Sequence, residues 1–226
     1  MTTTFRASGL ALRADRGPIY GPLDVSLDAP FGVLTGSRGS GKTCLLLTLA
    51  GRMRAGEGTF DVLGTPGSAG VKALQNQSAI AGFYGIDGLE DSVTVGNAVT
   101  ERLRWNAPWY TRVPRADDRA VRRALAPAFG EIPVPSADTM IWDLDEDAKL
   151  LVRIGLALLD DPRILFVDNV DHVHDLRGQA AVLTRLGALA ASGTPVVVTT
   201  AGYTPALYKD VATDIQVVPM RQEQLV

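Results

Sequence analysis

Apolar residues fall along the chain in two kinds of run. Three stretches are continuously apolar but for their ends: FGVLTG (31–36), RILFVD (163–168, apolar from Ile164) and PVVVTT (195–200). Such runs suit parallel strands covered on both faces. Others recur at helical spacing. CLLLTLAGRM (44–53) predicts a helix closed by small and basic residues. Leu176, Val182, Leu183, Leu186 and Leu189 are available for one side of a helix over roughly residues 176–191. Strand and helix patterns alternate, which places the chain in the α/β class with a parallel-rich sheet.

The stretch 88–147 differs in texture. It carries all three tryptophans (Trp105, Trp109, Trp142), several prolines and arginine-rich helical pieces such as DDRAVRRALAPAF (117–129). It reads as a mainly helical lobe inserted into one domain spanning 1–226, whose core is 1–87 and 148–226. Neither an internal repeat nor a low-complexity tail is visible.

Composition narrows the class. A hydrophobic fraction of 46% over 226 residues supplies a sizeable core, and no run is long and apolar enough to span a bilayer. The opening MTTTFRASGL lacks the charged-then-apolar layout of a secretion signal. A net charge of −3 gives no argument for nucleic acid as a partner. The single cysteine, Cys44, excludes an internal disulfide, suits a reducing cytoplasm and packs at the start of the 44–53 helix. The expectation is a soluble cytoplasmic protein, for which any membrane role requires a partner that supplies the spanning helices.

GSRGSGKT, residues 36–43, fits G-x-x-x-x-G-K-[ST] in full and stands between a predicted strand and a predicted helix. In the loop Gly36, Ser37, Arg38, Gly39, Ser40 and Gly41, the glycines let the backbone wrap, so that amides of residues 39–42 point inward at phosphate oxygens. The helix start adds its positive dipole end. Lys42 reaches the β- and γ-phosphates, and the Thr43 hydroxyl holds Mg²⁺. Asp168, closing ILFVD, is the natural second magnesium partner of such a loop.

The order of these parts resembles the ATP-binding cassette (ABC) ATPases over nearly the whole chain. The resemblance rests on GSRGSGKTCLLLTLAGRMRAGEGTFDVLG (36–64), LEDSVTVGNAV (89–99) and LALLDDPRILFVDNVDHVHD (156–175). It implies a P-loop NTPase core, an antiparallel β subdomain near the N-terminus and a helical lobe that touches membrane subunits. It further implies ATP and Mg²⁺ as ligands. The implied partners are a membrane-spanning subunit and, as homodimer or heterodimer, another ATPase subunit. The protein would then sit peripherally at the inner face of the cell membrane.

Several family positions carry other residues. The signature, L-S-G-G-Q in the family, falls on LDEDA (144–148), with Asp145, Glu146 and Asp147 in place of small residues and a serine. Two like charges about 4 Å apart cost roughly 4 kcal/mol at an effective dielectric near 20. A hydrogen bond contributes only ~1 kcal/mol net. Acids here suit a helix start and not a triphosphate. The Q-loop glutamine falls on or near Gly85 and the switch histidine on Ala201. The aromatic that stacks on adenine falls near Ala14, with Tyr20 a weak substitute. The catalytic glutamate is replaced by Asn169, which can orient water but not take its proton. Positioned general bases contribute typically ~10²- to 10⁴-fold. Mg-ATP binding with weak or absent hydrolysis is therefore expected; the alternative is a soluble ATP-dependent regulatory or scaffold protein without a transport role.

Two features stand beside this frame. DHVHD (171–175) holds both histidines, either in a loop at a subunit interface or, less favoured, as a transition-metal site. Trp105 and Trp109, four apart in RLRWNAPWYTR (102–112), are expected to pack inside the helical lobe, the other reading being a protein interface.

Overall fold

The computed structural model describes residues 3–15 and 17–220; both ends of the expected 1–226 domain lie outside them. In the first strands, β1 (Phe5–Ala14) and β2 (Gly17–Leu27), Phe5, Ala7 and Leu10 turn inward while Arg6 and Ser8 face solvent. The next strand, β3 (Phe31–Thr35), is buried almost throughout and leads through the 36–41 loop into helix α1 (Lys42–Leu49). A second excursion follows: β4 (Glu57–Val62), β5 (Thr65–Pro66), α2 (Val71–Gln77) and β6 (Ser78–Ala81).

Helices α3 (Val95–Asn106), α4 (Asp118–Phe129) and α5 (Glu146–Leu158) come next. Thr94 and Asp117 cap the first two, accepting hydrogen bonds from the Asn97 and Ala120 amides. The chain then returns through β7 (Ile164–Val167), α6 (Leu176–Ala191), β8 (Val196–Thr200) and β9 (Ile215–Pro219).

Among the described residues these strands make two sheets. One is antiparallel, in the order β2-β1-β4-β5; the other is parallel, in the order β6-β7-β8-β3-β9. This is the expected α/β architecture with an antiparallel unit near the N-terminus.

Side-chain alternation gives the parallel sheet two packed faces. Val33, Leu165, Val167, Val196 and Val198 join one core with α5 and α6. Val95 and Val99 of α3 and Val121, Leu125 and Phe129 of α4 belong to that same core. Leu34, Ile164, Phe166 and Val197 face the other way, packing with Leu45, Leu46 and Leu49 of α1 and with Phe5, Leu10 and Leu27 of the antiparallel sheet. Cys44, half-buried, joins this second core at the helix start.

Two expectations fail for local reasons. Leu176 is 65% exposed, because it opens α6 directly after the Asp175 cap and precedes the inward stripe. Trp105 and Trp109 are 72% and 95% exposed instead of packed. Helix α3 buries the face carrying Val95, Ala98 and Val99, and it ends at Asn106. The four-residue spacing therefore never places both rings on one helical face. No helix among the described residues is long and apolar enough to cross a membrane.

Candidate nucleotide-binding site

Strand β3 delivers the chain into the 36–41 loop at the edge between the two sheets. Two glycines there are dictated by space. A Cβ on Gly36 would lie 2.7 Å from Ser40 Oγ and 2.8 Å from the Met220 carbonyl. One on Gly41, whose φ is +83°, would lie 2.6 Å from Tyr20 Cβ, since the loop folds back against β2.

Within this loop Lys42 curls over its own backbone. Its Nζ donates to the Gly36 carbonyl (2.6 Å), the Ser37 carbonyl (2.9 Å) and Ser40 Oγ (3.3 Å). Burial lowers the ammonium pKa from the ordinary lysine value, and the nearby Asp168 and Asp171 carboxylates oppose that shift.

Thr43 Oγ1 donates to Asp168 Oδ2 at 2.8 Å, which joins the residues predicted to share a magnesium ion. Asp168 is buried just past the end of β7, and its amide donates to the Ala81 carbonyl. Its other oxygen accepts from Thr199 Oγ1 at 2.5 Å, and that hydroxyl accepts the Asn169 amide at 2.7 Å. Mg²⁺ prefers hard oxygen donors, commonly one or two carboxylates together with substrate phosphates. A hydroxyl and a carboxylate in contact at the mouth of a phosphate loop fit that preference.

Asn169 is exposed and stands at φ 53°, in the left-handed region that Asn tolerates better than most residues. Two residues on lies a carboxylate that no motif announces. Asp171 Oδ1 accepts from Thr200 Oγ1 (2.7 Å) and Gln179 Nε2 (3.2 Å), and its Oδ2 accepts from the Ala201 amide (2.6 Å). The position expected to hold a switch residue is thus pinned to the turn after β7. A single signal was available: an acid at 171, opposite the polar end of PVVVTT.

Tyr20 does not serve as the adenine platform. It is 4% exposed and its hydroxyl donates to Thr48 Oγ1 at 2.8 Å, deep between β2 and α1. Gly85 lies in the turn after β6, at φ 73°. The LDEDA acids are committed to the start of α5. Glu146 accepts from the His174 amide (2.8 Å) and meets His174 Nδ1 with both oxygens at 2.9 Å. Those hydrogen bonds hold the Glu146 carboxyl below the ordinary glutamate range. The His172 and His174 rings are 5.9 Å apart, and no group of three or more His, Cys, Asp or Glu among the described residues is arranged to hold a metal ion.

No protein-family model matches the chain. It is 32% identical over 182 residues to the cytochrome c biogenesis ATP-binding export protein CcmA of Alkalilimnicola ehrlichii, covering 75% of this chain and 72% of that protein. The chain belongs to the ABC transporter ATP-binding protein family. The cassette is also 29% identical over 201 residues to the hemin import ATP-binding protein HmuV of Rhodococcus jostii, covering 86% of its own length and 65% of that relative. With the Nod factor export ATP-binding protein I of Burkholderia orbicola it shares 24% identity over 194 residues and spans 57% of that protein. Among solved structures, the dimeric bacterial ABC transporter cassette MJ0796 superposes with a TM-score of 0.70 at 17% identity, over 95% of this cassette and 94% of that chain. The cbiO1 subunit from Clostridium perfringens gives 0.68 at 16% identity, over 88% and 78%. These two likenesses establish the fold.

Proposed function

We propose that this cassette is the Mg-ATP-binding subunit of an ABC-type transporter or a related membrane complex, and that it binds nucleotide with weak or absent hydrolysis. The observation that carries the reading is the asymmetry of the site. On one side Lys42, Thr43 and Asp168 lie together at a loop whose Gly36 and Gly41 stand where no Cβ would fit. On the other side stand an exposed amide, Asn169, and a carboxylate, Asp171, already engaged by three donors.

Nucleotide binding follows from the chain's own groups. Gly41 and Lys42 open α1, and the N–H groups and dipole of a helix start favour an anion. Lys42 exchanges three uncharged acceptors for anionic phosphate oxygens, so that its ammonium gains an opposite charge. When bound, Mg²⁺ supplies charge that neutralises the phosphates, with Thr43 and Asp168 as its protein partners.

Proton transfer is what the site lacks. The Asn169 amide offers an acceptor oxygen but does not take up a proton near neutral pH. Asp171 has three of its roughly four acceptor sites filled by protein donors, so it is a brace between the ends of β7 and β8.

The partner reading rests on a groove of about 360 Å³ beside α3 and α5, lined by Ile86, Leu89, Val93, Trp105 and Leu156 among others. Tyr84, Trp109 and Tyr110 are also exposed in this part of the chain. Aromatic residues and arginine are enriched at protein interfaces. We assign this helical lobe, residues 88–147, as the side that meets a membrane-spanning subunit and so holds the cassette at the inner face of the membrane. A second ATPase subunit, identical or different, completes the assembly.

Titration of the purified chain with ATP, with and without Mg²⁺, tests the binding half. Saturable binding strengthened by Mg²⁺ is expected, and its absence would remove the basis of the assignment.

A further inference from the structure

Two residues before Asp168 and Thr199, the side chains of Phe166 and Val197 lie in the core shared with α1. Alternation carries the same face onward to Asp168 and Thr199. Thr199 pairs in register with Leu34 of β3, so it stands between the strand that feeds the phosphate loop and the strand that delivers Asp168. Its side chain is 1% exposed.

In a run of three valines a fourth would pack equally well, so the hydroxyl needs a reason. Its bonding is fully determined. The backbone N–H of Asn169 can only donate, and it points at Thr199 Oγ1 (2.7 Å). The hydroxyl proton is therefore free to go to Asp168 Oδ1, 2.5 Å away. With one oxygen held by Thr199, the carboxylate plane that presents the other, Oδ2, to Thr43 at 2.8 Å is favoured.

We infer that Thr199 is a positioning residue for the metal half of the site: its hydroxyl fixes the Asp168 carboxylate so that one oxygen faces Thr43 and the metal of a bound Mg-nucleotide. The inference rests on the Mg-ATP reading above. Outer partners of metal ligands act in this way by orienting the ligand, and their loss typically weakens metal affinity by about 10- to 100-fold. The Mg²⁺-free nucleotide does not use Asp168, so its affinity should not depend on Thr199.

The test compares ATP affinity of the full chain in Mg²⁺ and in EDTA; their ratio is the magnesium gain. For Thr199→Val, of similar shape and suited to the strand, that gain should fall about tenfold or more, with the EDTA affinity within about twofold of the original. Thr199→Ser, which keeps the hydroxyl, should restore the gain. Circular dichroism checks that each variant is folded, and Thr199→Ala carries the same comparison if Thr199→Val is not. If the unsubstituted chain shows no magnesium gain, the Mg-ATP reading falls and takes this inference with it. If that gain is present but survives in Thr199→Val, the inference alone is overturned. The same holds if affinity drops equally with and without Mg²⁺, or if Thr199→Ser fails to restore it.

Discussion

Asn169 sits at φ 53°, a conformation that an L-residue with a longer side chain adopts at a cost of roughly 1–2 kcal/mol. Asparagine suits that backbone, and the turn it allows brings the Asn169 amide onto Thr199 and the Asp171 carboxylate onto Ala201. Asn169→Glu should therefore lower stability by about 1 kcal/mol in urea unfolding. It should not by itself give brisk turnover, because Ala201 and the LDEDA acids remain. Rapid phosphate release from that single variant would show that the carboxylate was the only missing part. Asn169 could be read from the sequence because it directly follows ILFVD. The contacts of Thr199 and Asp171 could not, since they arise from strands β7 and β8 lying side by side across about thirty residues of chain.

At the scale of elements, the strands at 31–35, 164–167 and 196–200 were legible because burial on both faces leaves them apolar but for the threonines that end the first and last. The β1–β2 pair was legible only through family resemblance. Its register shifts at several points, which blurs the period-two alternation that announces a strand. Helix α5 shows how an acidic start acts on its surroundings. Glu146 ties α5 to the 171–175 loop through His174, and its carboxyl titrates below the ordinary glutamate range. A carboxyl lowered on folding contributes stability above its unfolded value, and that contribution is lost as pH falls through the folded one. Stability of the unsubstituted chain should thus decline on acidification from the ordinary glutamate range downward. Glu146→Gln should show a shallower decline in urea midpoint over that window. An unchanged slope would mean that the clasp carries no linkage. The amount is modest, because the pair is largely exposed.

For the whole molecule, one face is built to bind phosphate and another displays aromatic side chains that the fold itself does not use. Trp109, 95% exposed, contributes little to the core, so Trp109→Ala should change unfolding free energy by no more than about 0.5 kcal/mol. The same substitution, combined with Trp105→Ala, should reduce co-purification of the cassette with the membrane-spanning partner proposed for it. Full retention of the partner would place the interface elsewhere. Exposure of these rings was hidden from the sequence, because four-residue spacing suggests a packed helical pair only while the helix continues, and α3 stops at Asn106.

Phosphate release by the purified chain in Mg-ATP, at a concentration that saturates the unsubstituted chain and beside Lys42→Ala, bears most directly on the proposal that the site holds nucleotide without turning it over. The expected result is Lys42-dependent binding with phosphate release indistinguishable from that of the variant. Brisk release that disappears in Lys42→Ala would contradict it.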